Sequence, residues 1–150
     1  MRLSCLIKFN IMEITYSFNS ILFKDHGVFV ANSEGIIGTP KRKEPEKYDY
    51  PNENGYVVDL TNKVYEARVI KLDCIIKGAS SADLIDKYNL FTKSMQDIDE
   101  TKTLSVSVDA KSLSFLCYVS DITQLKKRFT SGVNYGTFTL TFIEPNPIIV

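Results

Sequence analysis

The sequence predicts a mainly β fold of the α+β kind: an antiparallel β-sandwich or curled sheet with one amphipathic helix and a long extended loop. Three observations predict it. Thr137-Phe138-Thr139-Leu140-Thr141-Phe142 alternates polar and apolar residues with a period of two, as a half-buried strand does. Leu84, Tyr88, Phe91, Met95 and Ile98 recur at spacings of four, three, four and three, which draws one apolar stripe along a helix. Between Ser33 and Asn54, Gly35, Gly38, Pro40, Pro45 and Pro51 break any regular element.

From the start of the chain, Leu3 to Phe9 and Met12 to Phe18 read as two strands, with Ile14, Tyr16 and Phe18 spaced in twos. Asp25-His26-Gly27 is a turn, and Val28-Phe29-Val30 a short strand. The 33–54 loop then carries Lys41-Arg42-Lys43-Glu44, Tyr48 and Tyr50. At about 20 residues it is too long for a routine connection, and loops of that length are usually functional or disordered. It closes on Asn54-Gly55-Tyr56 and feeds a short Val57-Val58-Asp59-Leu60 strand.

The apolar run Glu66 to Gly78 is a buried strand, and a helix over about residues 81–98 follows at once. Ser80 is its N-cap, with Asp83 three residues on as an acidic form of the capping box. Strands return over Thr103–Val108, Leu113–Val119 and Thr137–Phe142, with a tight hairpin at Asp109-Ala110-Lys111-Ser112. Pro145 and Pro147 end the last strand, because proline cannot continue a ladder.

Composition narrows the function. The chain has 150 residues, 44% of them apolar, which suits one domain over residues 1–150 with a real core. Eighteen basic residues balance eighteen acidic ones, so the field that drives non-specific nucleic-acid binding is missing. No stretch approaches the ~18 apolar residues of a membrane span, and the first ten residues lack the features of a signal peptide. Cys5, Cys74 and Cys117 sit far apart in apolar stretches, without the paired spacing of a zinc or redox site, and read as buried thiols.

No constellation for chemistry stands out. The one histidine, His26, lies in a turn and reads as exposed. Asp97, Asp99 and Glu100 cluster at the helix end, but a calcium loop needs about twelve residues and a central glycine. Gly35-Ile36-Ile37-Gly38 lacks the further glycines and following helix of a phosphate cradle. Lys126-Lys127-Arg128-Phe129 is a basic run without a second basic stripe, and reads as a solvated hairpin or a subunit contact. The expectation is no catalytic group, no cofactor and no metal. Tyr48, Tyr50 and Tyr56, flanking the Pro/Asn loop, are instead candidates for an interface, where tyrosine is enriched.

The order of these motifs resembles the N-terminal domain of bacteriophage distal tail proteins and related tail-tube-like proteins. The matching features are the loop closing on Asn54-Gly55-Tyr56-Val57-Val58-Asp59-Leu60, then Val64-Tyr65-Glu66-Ala67-Arg68 leading into the strand Val69 to Ile76. The helix start Ser80-Ser81-Ala82-Asp83-Leu84 and the closing Phe138-Thr139-Leu140-Thr141-Phe142-Ile143-Glu144-Pro145 also match. The resemblance runs from about residue 20 onward.

It implies a phage or prophage tail protein, made in the bacterial host cytoplasm and placed in the virion tail. Such a subunit forms a ring with copies of itself, commonly a hexamer, at the junction of tail tube and tail tip or baseplate, against the neighbouring tail proteins. A tail-tube or tube-terminator subunit is the alternative within the class. Longer members add a carbohydrate-binding-like domain where this chain reaches Pro147-Ile148-Ile149-Val150, so direct receptor binding is not expected. A small ligand-binding or enzymatic β-domain using Tyr48, Asp49 and Asp59 near a cleft, or a bacterial adaptor module, are readings of other kinds. Under the assembly reading, Lys41, Arg42, Lys43, Tyr48, Tyr50 and Tyr56 form one patch of a head-to-tail contact.

Overall fold

Alternation along the chain becomes an eight-stranded antiparallel sheet once the strands are paired. The computed structural model of the chain describes residues 14–61, 63–130 and 133–148. The strand expected over Leu3–Phe9, the start of that expected from Met12, and Cys5 lie outside these residues. In chain order the elements are β1 (Ile14–Phe18), β2 (Ile21–Leu22), a 3-10 turn (Phe23–His26), β3 (Val28–Glu34), β4 (Glu46–Tyr48) and β5 (Val57–Asp59). Then come β6 (Arg68–Gly78), α1 (Ser81–Gln96), β7 (Lys102–Val108), β8 (Lys111–Ile122), β9 (Lys126–Thr130) and β10 (Val133–Glu144).

The sheet runs β2-β1-β7-β8-β10-β6-β3, with β9 also paired to β10. It curls until its two ends face each other across a shallow groove lined by Ile14, Tyr16, Phe23, Val28 and Val30. β4 and β5 form a separate two-stranded ribbon.

The inner face is the one the alternation selects. Ile70, Leu72, Cys74 and Ile76 of β6, and Phe138, Leu140 and Phe142 of β10, are buried together with Phe115 and Cys117 of β8. The threonines of β10 face the other way, where Thr139 Oγ1 donates to Asp73 Oδ1 at 3.0 Å. β7 and β8 meet at Val108 and Lys111 across a two-residue turn in which Asp109 takes φ 51°, the left-handed conformation such turns require.

Helix α1 lies on this face. Its cap is as the sequence indicates: Ser80 Oγ accepts from the Asp83 N–H at 3.1 Å, while Asp83 Oδ2 accepts from the Ala79 N–H at 2.8 Å. That bond from Ala79 is the main reason the Asp83 carboxyl sits below its usual range. Leu84, Phe91 and Met95 are fully buried. Tyr88 stands edge-on to Phe138 and donates through its hydroxyl to the Thr123 carbonyl at 2.9 Å. Gly78 permits the close approach of the helix start, since a Cβ there would come within 2.7 Å of the Leu84 nitrogen.

Four sequence expectations need correction. The helix ends at Gln96 rather than Ile98, because Asp97 leaves helical geometry at ψ 60° and the Ile98 N–H turns back to the Gln96 carbonyl. β3 continues past Val30 to Glu34 through a register shift between Val30 and Asn32, which hides the period of two. Ser33 and Glu34 are therefore sheet rather than loop. His26 lies in its turn, but half-buried, its ring against Phe91 with centroids 5.8 Å apart.

Phe91 meets Phe23, Phe138 and His26, so its ring is the hub between the helix, the turn and the sheet. Replacing it with alanine is expected to cost about 3–5 kcal/mol. Urea unfolding followed by circular dichroism reads that loss as a lower midpoint, and an unchanged midpoint would remove Phe91 from the core.

Candidate functional site

Beyond Glu34, the 33–54 segment, expected to be free of regular structure, is the outgoing half of a folded arm. From Lys41 outward its backbone pairs with the other leg of the arm rather than with the sheet. Near the root, the Lys43 N–H donates to the Val64 carbonyl at 2.9 Å and the Glu66 N–H to the Lys41 carbonyl at 2.7 Å, around an Arg42–Tyr65 bridge. Further out β4 pairs with β5, Glu46 opposite Asp59 and Tyr48 opposite Val57. At the tip a turn over Tyr50-Pro51-Asn52-Glu53 closes with the Glu53 N–H on the Tyr50 carbonyl at 3.1 Å.

The six candidate interface residues all lie on this arm. Lys41 and Lys43 are exposed on the outgoing leg. Arg42 is half-buried, and its Nη2 donates across the arm to the Leu60 carbonyl at 3.1 Å. Tyr48, Tyr50 and Tyr56 are 46%, 52% and 56% exposed, which leaves each ring half in water. Lys47 pairs with Glu44 and places its Nζ 5.0 Å from the centre of the Tyr56 ring. The Tyr48 hydroxyl donates to Glu46 Oε2 at 3.1 Å, which pushes its pKa up. Asp59 accepts from the hydroxyl and the N–H of Thr61, and both hold its carboxyl below the usual range.

The return leg adds apolar surface that sequence reasoning did not single out: Val57, Leu60 and Val64, with Ile37 at the root, are also exposed. The only hint of it was the apolar spelling of Val57-Val58-Asp59-Leu60.

The arm leaves the body at a built joint. Arg68, the first residue of β6, is 8% exposed, and Glu144, opposite it at the end of β10, is 3% exposed. Arg68 Nε donates to Glu144 Oε1 at 3.0 Å, and Nη1 donates to the Gly38 carbonyl at 2.9 Å and the Gly35 carbonyl at 3.2 Å. The guanidinium also lies 5.3 Å from the centre of the Phe115 ring. Gly35 has φ 87°, and a Cβ there would come within 2.1 Å of the Val69 carbonyl oxygen, so only glycine fits. Burying an ion costs several kcal/mol unless its hydrogen bonds are met. Among the described residues, no buried side-chain polar atom lacks a partner.

Tyr48, Asp49 and Asp59 line none of the larger grooves. A groove of about 420 Å³ lies between the helix end and β8 and is lined by Ile98, Asp99, Glu100, Thr101 and Tyr118. Glu100 there is already paired with Lys102 at 2.7 Å. Among the described residues no three of His, Cys, Asp and Glu converge as a metal would require. No helix among them is long and apolar enough to cross a membrane.

Cys74 and Cys117 are free thiols buried on the inner face, and burial pushes each up to about 12. Only a thiolate is a good nucleophile, so both stay inert.

No family model matches the chain, and no curated protein matches it. Among solved structures, the chain is similar to the Dit protein of phage SPP1, described as a paradigm of the hub adsorption apparatus in phages that infect Gram-positive bacteria. The TM-score is 0.64 at 17% identity, over 90% of this chain and 53% of that one. The likeness is one of fold, and this chain spans about half the length of the structure it matches.

Two measurements check this site. Arg68→Met alone leaves Glu144 as an unpaired buried charge and is expected to cost about 3–5 kcal/mol in denaturant unfolding. Iodoacetamide at pH 8 is expected to leave Cys74 and Cys117 unmodified in the folded protein and to label both in guanidinium, as read by peptide mass spectrometry. Labelling of either in the native state would mean that the inner face opens.

Proposed function

We propose that this chain is a structural subunit of a phage or prophage tail, which closes into a ring, commonly a hexamer, at the junction of tail tube and tail tip. The arm of one copy lies on its neighbour. The observation that carries this reading is the arm itself. A lone two-stranded ribbon is marginal in water, yet this one holds three half-exposed tyrosines with Val57, Leu60 and Val64. Such a ribbon gains stability when a second surface covers it. Aromatic anchors within a rim of Lys41, Lys43 and the Glu44–Lys47 pair have the composition of an interface.

The fold likeness to a phage hub protein supports the setting. A closed ring needs two different patches per subunit, and a stable contact buries on the order of 800 Å² per partner, which a projecting arm supplies more readily than a flat sheet. The protein acts without catalysis on this reading: the geometry described offers an anchor and a joint, with no nucleophile, base and orienting group brought together. A tail-tube or tube-terminator subunit is the runner-up. Electron micrographs separate the two, since a tube subunit stacks its rings and a junction protein gives single ones.

The Lys43–Val64 bond marks where the tip can be removed cleanly. Replacing residues 44–63 with an Asn-Gly turn is expected to leave the circular dichroism spectrum β-rich and to reduce the light-scattering mass to that of one chain. A variant that still ran as a ring would clear the arm tip of this role.

A further inference from the structure

We infer that the Arg68–Glu144 pair fixes the tilt of the arm against the sheet and thereby sets how many copies close the ring. This inference rests on the arm being the contact between subunits. The outgoing leg loses its ladder to β6 after Glu34, which pairs with Lys71. It regains regular pairing only at Arg42, and there with its own return leg. In between, Gly35 and Gly38 both take positive φ, 87° and 128°, which makes this stretch the natural pivot.

Two things tie the pivot to the body: the buried side chain of Ile36, and Arg68, whose Nη1 holds the carbonyls of Gly35 and Gly38 together. Arg68 also begins β6, directly after the return leg, so one guanidinium fastens both legs to the same point. Glu144 fixes that guanidinium in turn, from the next strand of the sheet.

The tolerance is narrow. A ring of six turns each subunit by 60° and a ring of seven by about 51°, so a change of about 9° adds a copy. At ~3.3 Å per residue, the nine steps from Lys41 to Tyr50 span roughly 30 Å. Over that reach a 9° tilt moves the tip by about 5 Å, the spacing of one strand. Ile36 alone, an apolar contact without direction, does not fix an angle that finely, whereas hydrogen bonds from a planar guanidinium do.

The position itself points the same way. Glu144 continues the inward series Phe138, Leu140, Phe142. Well-packed apolar residues in place of a buried ion pair are often neutral or stabilising, so stability alone does not call for a carboxylate and a guanidinium here. Control of geometry does.

Native mass spectrometry of the full chain tests it, with three variants: Arg68→Lys, the double variant Arg68→Met/Glu144→Leu, and the tip replacement described above. The wild type is expected to give one ring mass. The double variant is expected to keep a melting temperature close to wild type yet spread over several ring sizes or open chains, with no single mass in the majority. Arg68→Lys keeps the charge on Glu144 but cannot hold both carbonyls, and is expected to spread in the same way, so the test stands even if the double variant unfolds. A single unchanged ring mass in either Arg68 variant, alongside loss of the ring in the tip replacement, overturns this inference and leaves the arm contact in place. A ring that survives tip replacement overturns the contact, and the inference with it.

Discussion

The register of β10 on β6 is the constraint from which the rest of this fold follows. Eleven residues of each strand pair without interruption, from Asn134 opposite Gly78 to Glu144 opposite Arg68. Side chains alternate with a period of two, so a slip of one residue would turn every threonine of β10 inward and every phenylalanine out. The apolar series sets this register along most of the ladder, and the ion pair locks its end. One register therefore delivers three things: the surface on which Leu84, Phe91 and Met95 pack, the buried thiols, and the anchor of the arm.

The body and the arm divide the work between them. The body is satisfied internally, with its polar face hydrogen-bonded through pairs such as Thr139–Asp73 and its aromatic rings meeting edge to face. The arm is unsatisfied: its backbone pairs across two short legs, but its larger side chains look outward. This asymmetry is the physical content of the assembly reading. Phe29, Leu90 and Leu116 of the body are exposed as well, but on the arm Tyr48, Tyr50, Tyr56, Val57, Leu60 and Val64 share one projection.

The parts legible in the sequence were those where burial on one face imposes a period. The helix announced itself through Ser80, Asp83 and the Leu84–Phe91–Met95 stripe, β7 and β10 through alternation, and β8 through Leu113, Phe115, Cys117 and Val119 spaced in twos. The turn at Asp109-Ala110 was legible because it separates the strand patterns on either side of it. The arm was not. Both of its faces are exposed, so no period marks its strands, and its prolines and glycines spell loop. Arg68 and Glu144 were equally silent, because a charge at a strand end is usually solvated. Only the pairing of strands 76 residues apart reveals that these two charges meet in the interior. The candidate residues on the arm were reachable from composition, while the joint that aims them was not.

The place of β10 in the chain has a consequence for synthesis. It is the last of the ten described strands to leave the ribosome, yet it is the one that joins β6 to β8 and also carries β9. Until it emerges, β6 has, among the described strands, only β3 beside it, and no described strand pairing joins the β1–β2–β7–β8 group to the other half. Pairing over such separations is slow, and the waiting edges are open to wrong partners. Crowding many nascent copies together exposes those edges to one another before β10 covers them. Those edges therefore stand open through the interval between the making of Gly78 and the making of Glu144.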